Sequence, residues 1–323
     1  MATTNSDNVN YRGVLYALGA NQAPFLASIG GKTKRANAFT YPIAQPYSVG
    51  SGAQTTVSED AAAGTLQATT VERAQDTNVA QIMIYTVKTT FKKQSIVGQM
   101  SSAGVNTNDP NPVLDELGFQ KQAGLMKMAK DMEFTLLQGA YVAELTSATN
   151  QTTRGLKEAI STNSVLGGSV ALEKDMIEEL IRKMLASGSL MMDPVILLNS
   201  FQLQRLSDIY GYAPQDRMLG GVAIERIMVP GAGILPTMFS PQMPTDEIYI
   251  VDRSVCAPVF VPVSYADDGN VNPTIDNVNG VDILFQPTAI TNAARGGFFY
   301  TQFGFDYGPE EYHGSITGLA TTA

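Results

Sequence analysis

The chain has 323 residues, 44% of them hydrophobic and 16% charged, a composition that builds a folded globular protein with a substantial core and excludes a fibrous or disordered one. Its net charge of −9 and pI near 4.7 exclude the broad basic face that nucleic-acid phosphates require, so any contact with DNA is expected to be weak and nonspecific. One cysteine, Cys256, excludes an intrachain disulfide framework, and one histidine, His313, argues against a zinc or iron site built by this chain alone.

From the start, MATTNSDNVNYRG lacks the basic and apolar regions of a secretory signal. Residence in a cytoplasm is expected. Residues 1–35 close on GANQAPFLASIGGKTKR, where Asn, Pro and a Gly pair bracket one apolar patch, Phe25, Leu26 and Ile29. This reads as an extended arm with a single anchor. The stretch from Tyr47 to Gln75 that follows is rich in Ala, Thr, Ser and Gly, too long for an ordinary connection inside a compact domain. Beyond it, NVAQIMIYTVKTTFKK sets Met83, Tyr85, Val87 and Phe91 on one face and Ile82, Ile84, Thr86 and Lys88 on the other, the period of a long strand.

Pro112 opens a helical pattern reaching about Leu145, with Leu114, Leu117, Leu125, Met128, Met132 and Leu136 at steps of three and four and Asp115 and Glu116 in the first turn. Some 34 residues of helix would span on the order of 50 Å, a spine for the whole subunit. A second helix is predicted over ALEKDMIEELIRKMLASG, its stripe running through Leu172, Met176, Ile177, Leu180, Ile181, Met184 and Leu185 and ending at Gly188. Next, Pro194 to Leu198 reads as a buried strand, with Asn199 or Ser200 capping a short helix over Phe201 to Ile209. Short strands follow in VAIERIMV, EIYIVDRS, VDILFQ and GGFFYTQFGFDYG. The longest nearly apolar run, SVCAPVFVPV at 254–263, is too short for a membrane span and carries two prolines. The fold class is α+β.

Motifs that carry chemistry are weak. ASIGGKT at 27–33 ends like a phosphate loop, but Leu26 stands where its first glycine belongs. GGSVA at 167–171 vaguely resembles a nucleophile elbow around Ser169, for which His313 is the one base available, giving a serine hydrolase as the reading from a different class. DDGNVNPTIDNVNG at 267–280 collects oxygen ligands, yet Pro273 and Asn279 stand where a calcium loop needs glycine and glutamate, so a surface turn cluster is expected. Met126, Met128 and Met132 fit core packing or an adaptable contact surface. The basic groups Lys32, Lys34, Arg35 and Lys88, Lys92, Lys93 fit either a solvated face or partners on a neighbouring subunit. No catalytic, cofactor or metal residues are assigned, and no enzyme activity is expected.

The order of elements (arm, long β-excursion, spine helix, α+β lobe, return strand), together with QAPFLASIG, RGLKEAI at 154–160 and HGSITGL at 313–319, resembles the major capsid proteins of tailed bacteriophages, with the fold first seen in the Hong Kong 97 phage. The resemblance implies an N-terminal arm over residues 1–35, an extended β-hairpin loop over 36–94, a peripheral domain with the spine helix over 95–165, an axial domain over 166–281, and a return to the periphery with a C-terminal tail over 282–323. It implies self-assembly of hexamers and pentamers into an icosahedral head shell around packaged double-stranded DNA, assembled in a host cytoplasm, alongside a portal protein, a separate scaffolding protein and a decoration protein, with no cofactor and no membrane. Subunit contacts are expected at the anchor residues Phe25 and Leu26, the loop charges Glu59, Asp60, Glu72 and Arg73, and Lys92 and Lys93. Some capsids of this fold crosslink through a loop lysine; residues 36–87 contain none, so noncovalent locking is expected. Met1 and a short arm imply scaffolding supplied separately or not at all. An encapsulin, a cellular cargo shell of the same fold, is the related alternative.

Overall fold

The structure, a computed structural model, describes residues 23–44, 75–95, 115–143, 148–210, 217–219, 222–229, 233–263, 274–278, 281–290 and 292–321, with a few single positions between. Alternating apolar residues build a first sheet around β14 (Ala294–Asp306), its central strand. On one edge β14 pairs antiparallel with β4 (Gln81–Thr90), and on the other with β13 (Val281–Pro287) and then β11 (Ala257–Phe260). Strand β12 (Thr274–Val278) extends β13, and the two-residue β1 (Lys34–Arg35) runs parallel to β11. A separate ribbon joins β2 (Thr40–Ile43) to β3 (Asp76–Val79).

The second sheet runs β5 (Ser164–Leu166), β15 (Gly314–Thr317), β10 (Ile248–Asp252), β6 (Pro194–Leu198), β9 (Gly233–Phe239), β8 (Val222–Val229), β7 (Arg217–Leu219). Strand β6 and the first four residues of β10 are apolar throughout because both faces are covered. Val195, Leu197, Tyr249 and Val251 point into a core shared with helix α3 (Glu116–Gln138) and the first sheet. Ile196, Leu198, Ile248 and Ile250 point the other way, into a core closed by helices α5 (Lys174–Ala186) and α6 (Ser200–Tyr210). Helix α3 therefore lies against both sheets. Gly124 makes the approach possible, since a Cβ there would meet the Tyr85 ring at 2.9 Å and Phe299 at 3.1 Å.

Most predicted elements are present, with informative differences. The spine spans 23 residues, about 35 Å, not 50 Å. Asp115, read as a first-turn acid, is the N-cap and accepts the Leu117 N–H at 3.1 Å. The helix stops at Gly139 because the chain recrosses there: the Gly155 N–H donates to the Gly139 carbonyl at 2.8 Å, and a Cβ on Gly155 would sit 2.5 Å from Gly139 N and from the Thr135 carbonyl. The long strand predicted over 78–93 is β3 and β4, broken at Ala80, whose N–H turns to the Phe39 carbonyl at 2.7 Å; Phe91 opens the short helix α2 (Phe91–Ser95). Residues 24–29 of the arm are not extended but form helix α1 (Pro24–Ile29), with Phe25, Leu26 and Ile29 fully buried. Burying those three side chains contributes on the order of 6 kcal/mol. Helix α4 (Leu156–Ala159) follows the glycine crossing. Strands β11 and β12 belong to the first sheet, and β15 lies inside the second.

Candidate assembly surface

Strand register decides which side chains face outward. Ile84 pairs with Tyr300, which pairs with Leu284; Thr86 pairs with Phe298, and Ile82 with Gln302. Directly opposed residues share a face, so these form one outer layer, while Tyr85, Phe299 and Phe285 form the inner layer against α3. On the outer layer Ile82 and Ile84 are 50% and 60% exposed, beside half-buried Phe298 and Tyr300. This is the face on which the sequence placed Ile82, Ile84, Thr86 and Lys88. A second apolar group lies at one end of the other sheet, where Met228 (72% exposed) pairs in register with Ile234, and exposed Leu190 and Met192 lead into β6, which runs parallel to β9.

The buried polar residues, by contrast, hold the subunit to itself. Arg154 donates to Asp76 at 2.5 Å and to the Tyr307 hydroxyl at 3.1 Å and stacks over Tyr141, tying β3 to the glycine crossing. Tyr41 Oη donates to the Phe305 carbonyl at 2.9 Å and accepts the Phe305 N–H at 2.7 Å; burial pushes its phenol well above the usual range. Glu133, fully buried on α3, accepts the Phe25 and Leu26 N–H groups and the Ser240 hydroxyl. Loss of water raises its pKa to about 7 against the lowering effect of those donors.

Sequence-predicted contact residues separate into three groups. Phe25 and Leu26, expected between subunits, are instead fully buried in the subunit's own core, because α1 packs its apolar face on α3. Glu59, Lys92 and Lys93 are exposed. Asp60, Glu72 and Arg73, like most of the stretch from 47 to 75, lie outside the described residues. Lys32, Lys34 and Arg35 are used internally: Lys32 donates to the Arg253 carbonyl at 2.6 Å, Lys34 pairs with Asp306 at 2.6 Å, and Arg35 lies 3.7 Å from Asp282 and over the Phe260 ring. That accounts for the phosphate-loop lysine, and Thr33 bonds back to the Gly30 carbonyl. Within 267–280, residues 274–278 are strand, paired with β13, not turn. Met128 and Met132 are core residues, with Met126 half-buried.

The Ser169 and His313 pairing has no support. Ser169 is exposed, at φ 62°, with its N–H given to the Gly318 carbonyl. His313 is fully buried: Nε2 donates to the Tyr307 carbonyl at 2.6 Å and Nδ1 accepts the Asp252 N–H at 3.2 Å. Burial lowers its pKa, and both ring nitrogens are occupied by backbone. Among the described residues no cluster could hold a metal ion, and no helix is long and apolar enough to cross a membrane. Sequence reasoning missed Glu133; its one signal is an acid directly after core Met132 and four positions before buried Leu137.

A family model described as SU10 major capsid protein matches residues 1–320. The chain belongs to that family. This major capsid protein forms a shell, and its fold is shared by solved structures of low identity. The capsid asymmetric unit of cyanophage A-1(L) superposes with a TM-score of 0.66 at 14% identity over 99% of both chains. The holo-SrpI encapsulin complex of Synechococcus elongatus PCC 7942 gives 0.60 at 12% identity, covering 98% of this chain and 94% of that one. The capsid of a native GTA particle gives 0.54 at 11%, covering 97% and 94%. No curated protein matches the sequence.

Proposed function

We propose that this capsid protein builds the icosahedral head of a tailed bacteriophage, as hexamers and pentamers closed by noncovalent contacts around double-stranded DNA. The observation that carries this reading is the outward apolar layer of the first sheet, Ile82 and Ile84 beside Phe298 and Tyr300, on a chain matched by a capsid family along its length. Such a layer on a monomer is a hazard; in a closed symmetric assembly it is a contact. The first sheet with α3 serves as the peripheral domain, the second sheet with α5 and α6 as the axial domain, and, within residues 36–94, the stretch between β2 and β3 as the part of the loop that crosses a neighbour. Folded on itself, that stretch of roughly 32 residues reaches at most on the order of 50 Å. Locking is noncovalent because residues 36–87 contain no lysine. Portal, scaffolding and decoration proteins are the expected partners, assembly takes place in the host cytoplasm, and the acidic subunit holds DNA weakly.

Negative-stain microscopy of the expressed protein tests this, with monodisperse monomers at high concentration, with or without scaffold, as the outcome that refutes it. Deleting Ser51 to Thr69 is expected to leave a soluble subunit that closes no stable shell. Intact particles run on a denaturing gel are expected to give a single band; a ladder of covalent oligomers refutes noncovalent locking. The encapsulin-like fold favours one second reading, a cellular cargo shell, distinguished by enzyme instead of DNA inside purified particles.

A further inference from the structure

Strand β4 presents an edge with a usable row of backbone groups. The Phe91 N–H donates to the Ala293 carbonyl at 2.9 Å, and from there the antiparallel register alternates, so Met83, Tyr85, Val87 and Thr89 turn their backbone groups to β14. On the other edge of β14 the Thr288 N–H donates to the Gly296 carbonyl at 3.0 Å, which sets the same alternation independently. The N–H and C=O groups of Ile82, Ile84, Thr86 and Lys88 therefore point away from the sheet, and no hydrogen bond joins them to another described residue. This open length is bounded at both ends: the Ala80 N–H goes to the Phe39 carbonyl beside β2, and α2 begins at Phe91. Exposed edges are ordinarily blunted by proline, bulges or several charges. Here the register with β14 runs unbroken through ten pairs, no proline interrupts the strand, and Lys88 is its one charge. The outward side chains of the same residues include Ile82 and Ile84 of the exposed apolar layer.

We propose that β4 is a strand-addition site whose occupant is β4 of a second copy, paired antiparallel about a two-fold axis with Tyr85 opposite the partner's Tyr85. This rests on the shell reading above and names how two copies meet. A two-fold contact requires a self-complementary patch. The uncharged run from Gln81 to Val87 supplies one and selects neither an acidic nor a basic peptide. The register follows from the bounds of the edge. Centred on Tyr85, the pairing matches the four open residues only with one another, Ile82 with the partner's Lys88 and Ile84 with the partner's Thr86. Centring on Ile84 would set Lys88 against the partner's Ala80, which already bonds Phe39. Centring on Thr86 would set Ile82 against the partner's Thr90, whose hydroxyl accepts the Lys93 N–H at 3.4 Å at the start of α2. Directly opposed residues share a face, so the two outer apolar layers join into one. The two Lys88 side chains stand six residues apart along the pair, roughly 20 Å, and do not repel at close range.

Disulfide trapping in assembled particles tests the pairing. The native cysteine, Cys256, is buried, so an introduced surface thiol reports alone. Directly opposed positions lie within reach of a disulfide, whereas the two copies of Ile84, or of Thr86, stand roughly 8 Å apart, beyond it. Particles assembled from equimolar Ile84→Cys and Thr86→Cys chains are expected, on mild oxidation, to yield linked dimers holding up to about half of the chains and nothing larger. Particles of either variant alone are expected to yield almost none. Thr86→Pro removes an outward N–H and spares the β14 ladder. It is expected to keep the denaturant midpoint of the subunit while raising the concentration needed for assembly roughly tenfold or more; Thr86→Val, which keeps the N–H, serves as the control. A mixture without dimers, equal dimer yield from Ile84→Cys alone, or native assembly by Thr86→Pro overturns the pairing and leaves the shell reading standing. Failure of the native chain to form particles refutes the shell reading instead, and the pairing with it.

Discussion

His313 shows how one residue can resemble a catalytic base and act as a pin. Its ring bridges the Tyr307 carbonyl and the Asp252 N–H in a site without water access, which requires the neutral form protonated on Nε2. Replacing it with Ala strands two buried backbone groups, so His313→Ala is expected to destabilise the unassembled subunit by about 2–4 kcal/mol in denaturant unfolding. Ser169→Ala is expected to stay within about 0.5 kcal/mol, being exposed. The pH dependence has a definite sign. A histidine whose folded pKa lies below its unfolded value of 6.5 costs nothing above that value, and its site destabilises the fold progressively as pH falls below it. Glu133 acts in the opposite sense, favouring the fold as pH falls, so His313→Gln should lessen acid sensitivity below about pH 6.5, measured by the same unfolding series. Neither role is legible in the sequence, because each depends on a partner far away along the chain, Asp252 for His313 and Phe25, Leu26 and Ser240 for Glu133. The anchor was legible as an apolar patch, but not that its own subunit covers it.

At the scale of elements the two faces of β4 and the Asn199 cap, whose Oδ1 accepts the Gln202 N–H at 3.0 Å, match the sequence reading. So does the α5 stripe through Ile177, Leu180, Ile181 and Met184, but Leu185 is exposed and Leu172 precedes the helix. The spine was overextended because apolar steps of three and four continue past Gly139, and nothing local announces the crossing that ends it. RGLKEAI and HGSITGL, noticed as family-like, have physical explanations. Gly155 lies against the last turn of α3, and Gly314 lies under α5, where a Cβ would meet Leu180 at 2.7 Å and Met184 Sδ at 2.8 Å. A methyl group at Gly155 meets backbone that cannot yield, so Gly155→Ala is expected to cost about 3 kcal/mol, read as a lowered denaturant midpoint. Free space at Gly31 makes Gly31→Ala the control, expected to be near neutral.

Among the described residues, an apolar layer faces outward while Tyr41, Glu133 and His313 make buried polar ties within the subunit, a pattern that suits a subunit with neighbours. Replacing both Ile82 and Ile84 with Thr keeps the β-branched shape but removes the outward apolar layer. Subunit stability is expected to change by no more than about 1 kcal/mol, while the concentration needed for assembly rises roughly tenfold, checked by light scattering. The composition already favours association over chemistry, but the outward apolar layer emerges only once β4 and β14 are in register. A further consequence lies in β15. It sits between β5 and β10 in the interior of the second sheet, with Ser315 paired to Ser164 across 151 residues of chain. On the ribosome, therefore, β10 keeps an open edge and β5 has no mate until residues 314–317 have emerged. Ribosome-bound chains halted before Gly314 are expected to be protease-sensitive across 164–166 and 248–252, and protection there would refute this. Synthesis itself thus acts as a timer, withholding a finished second sheet until residues 314–317 have been made.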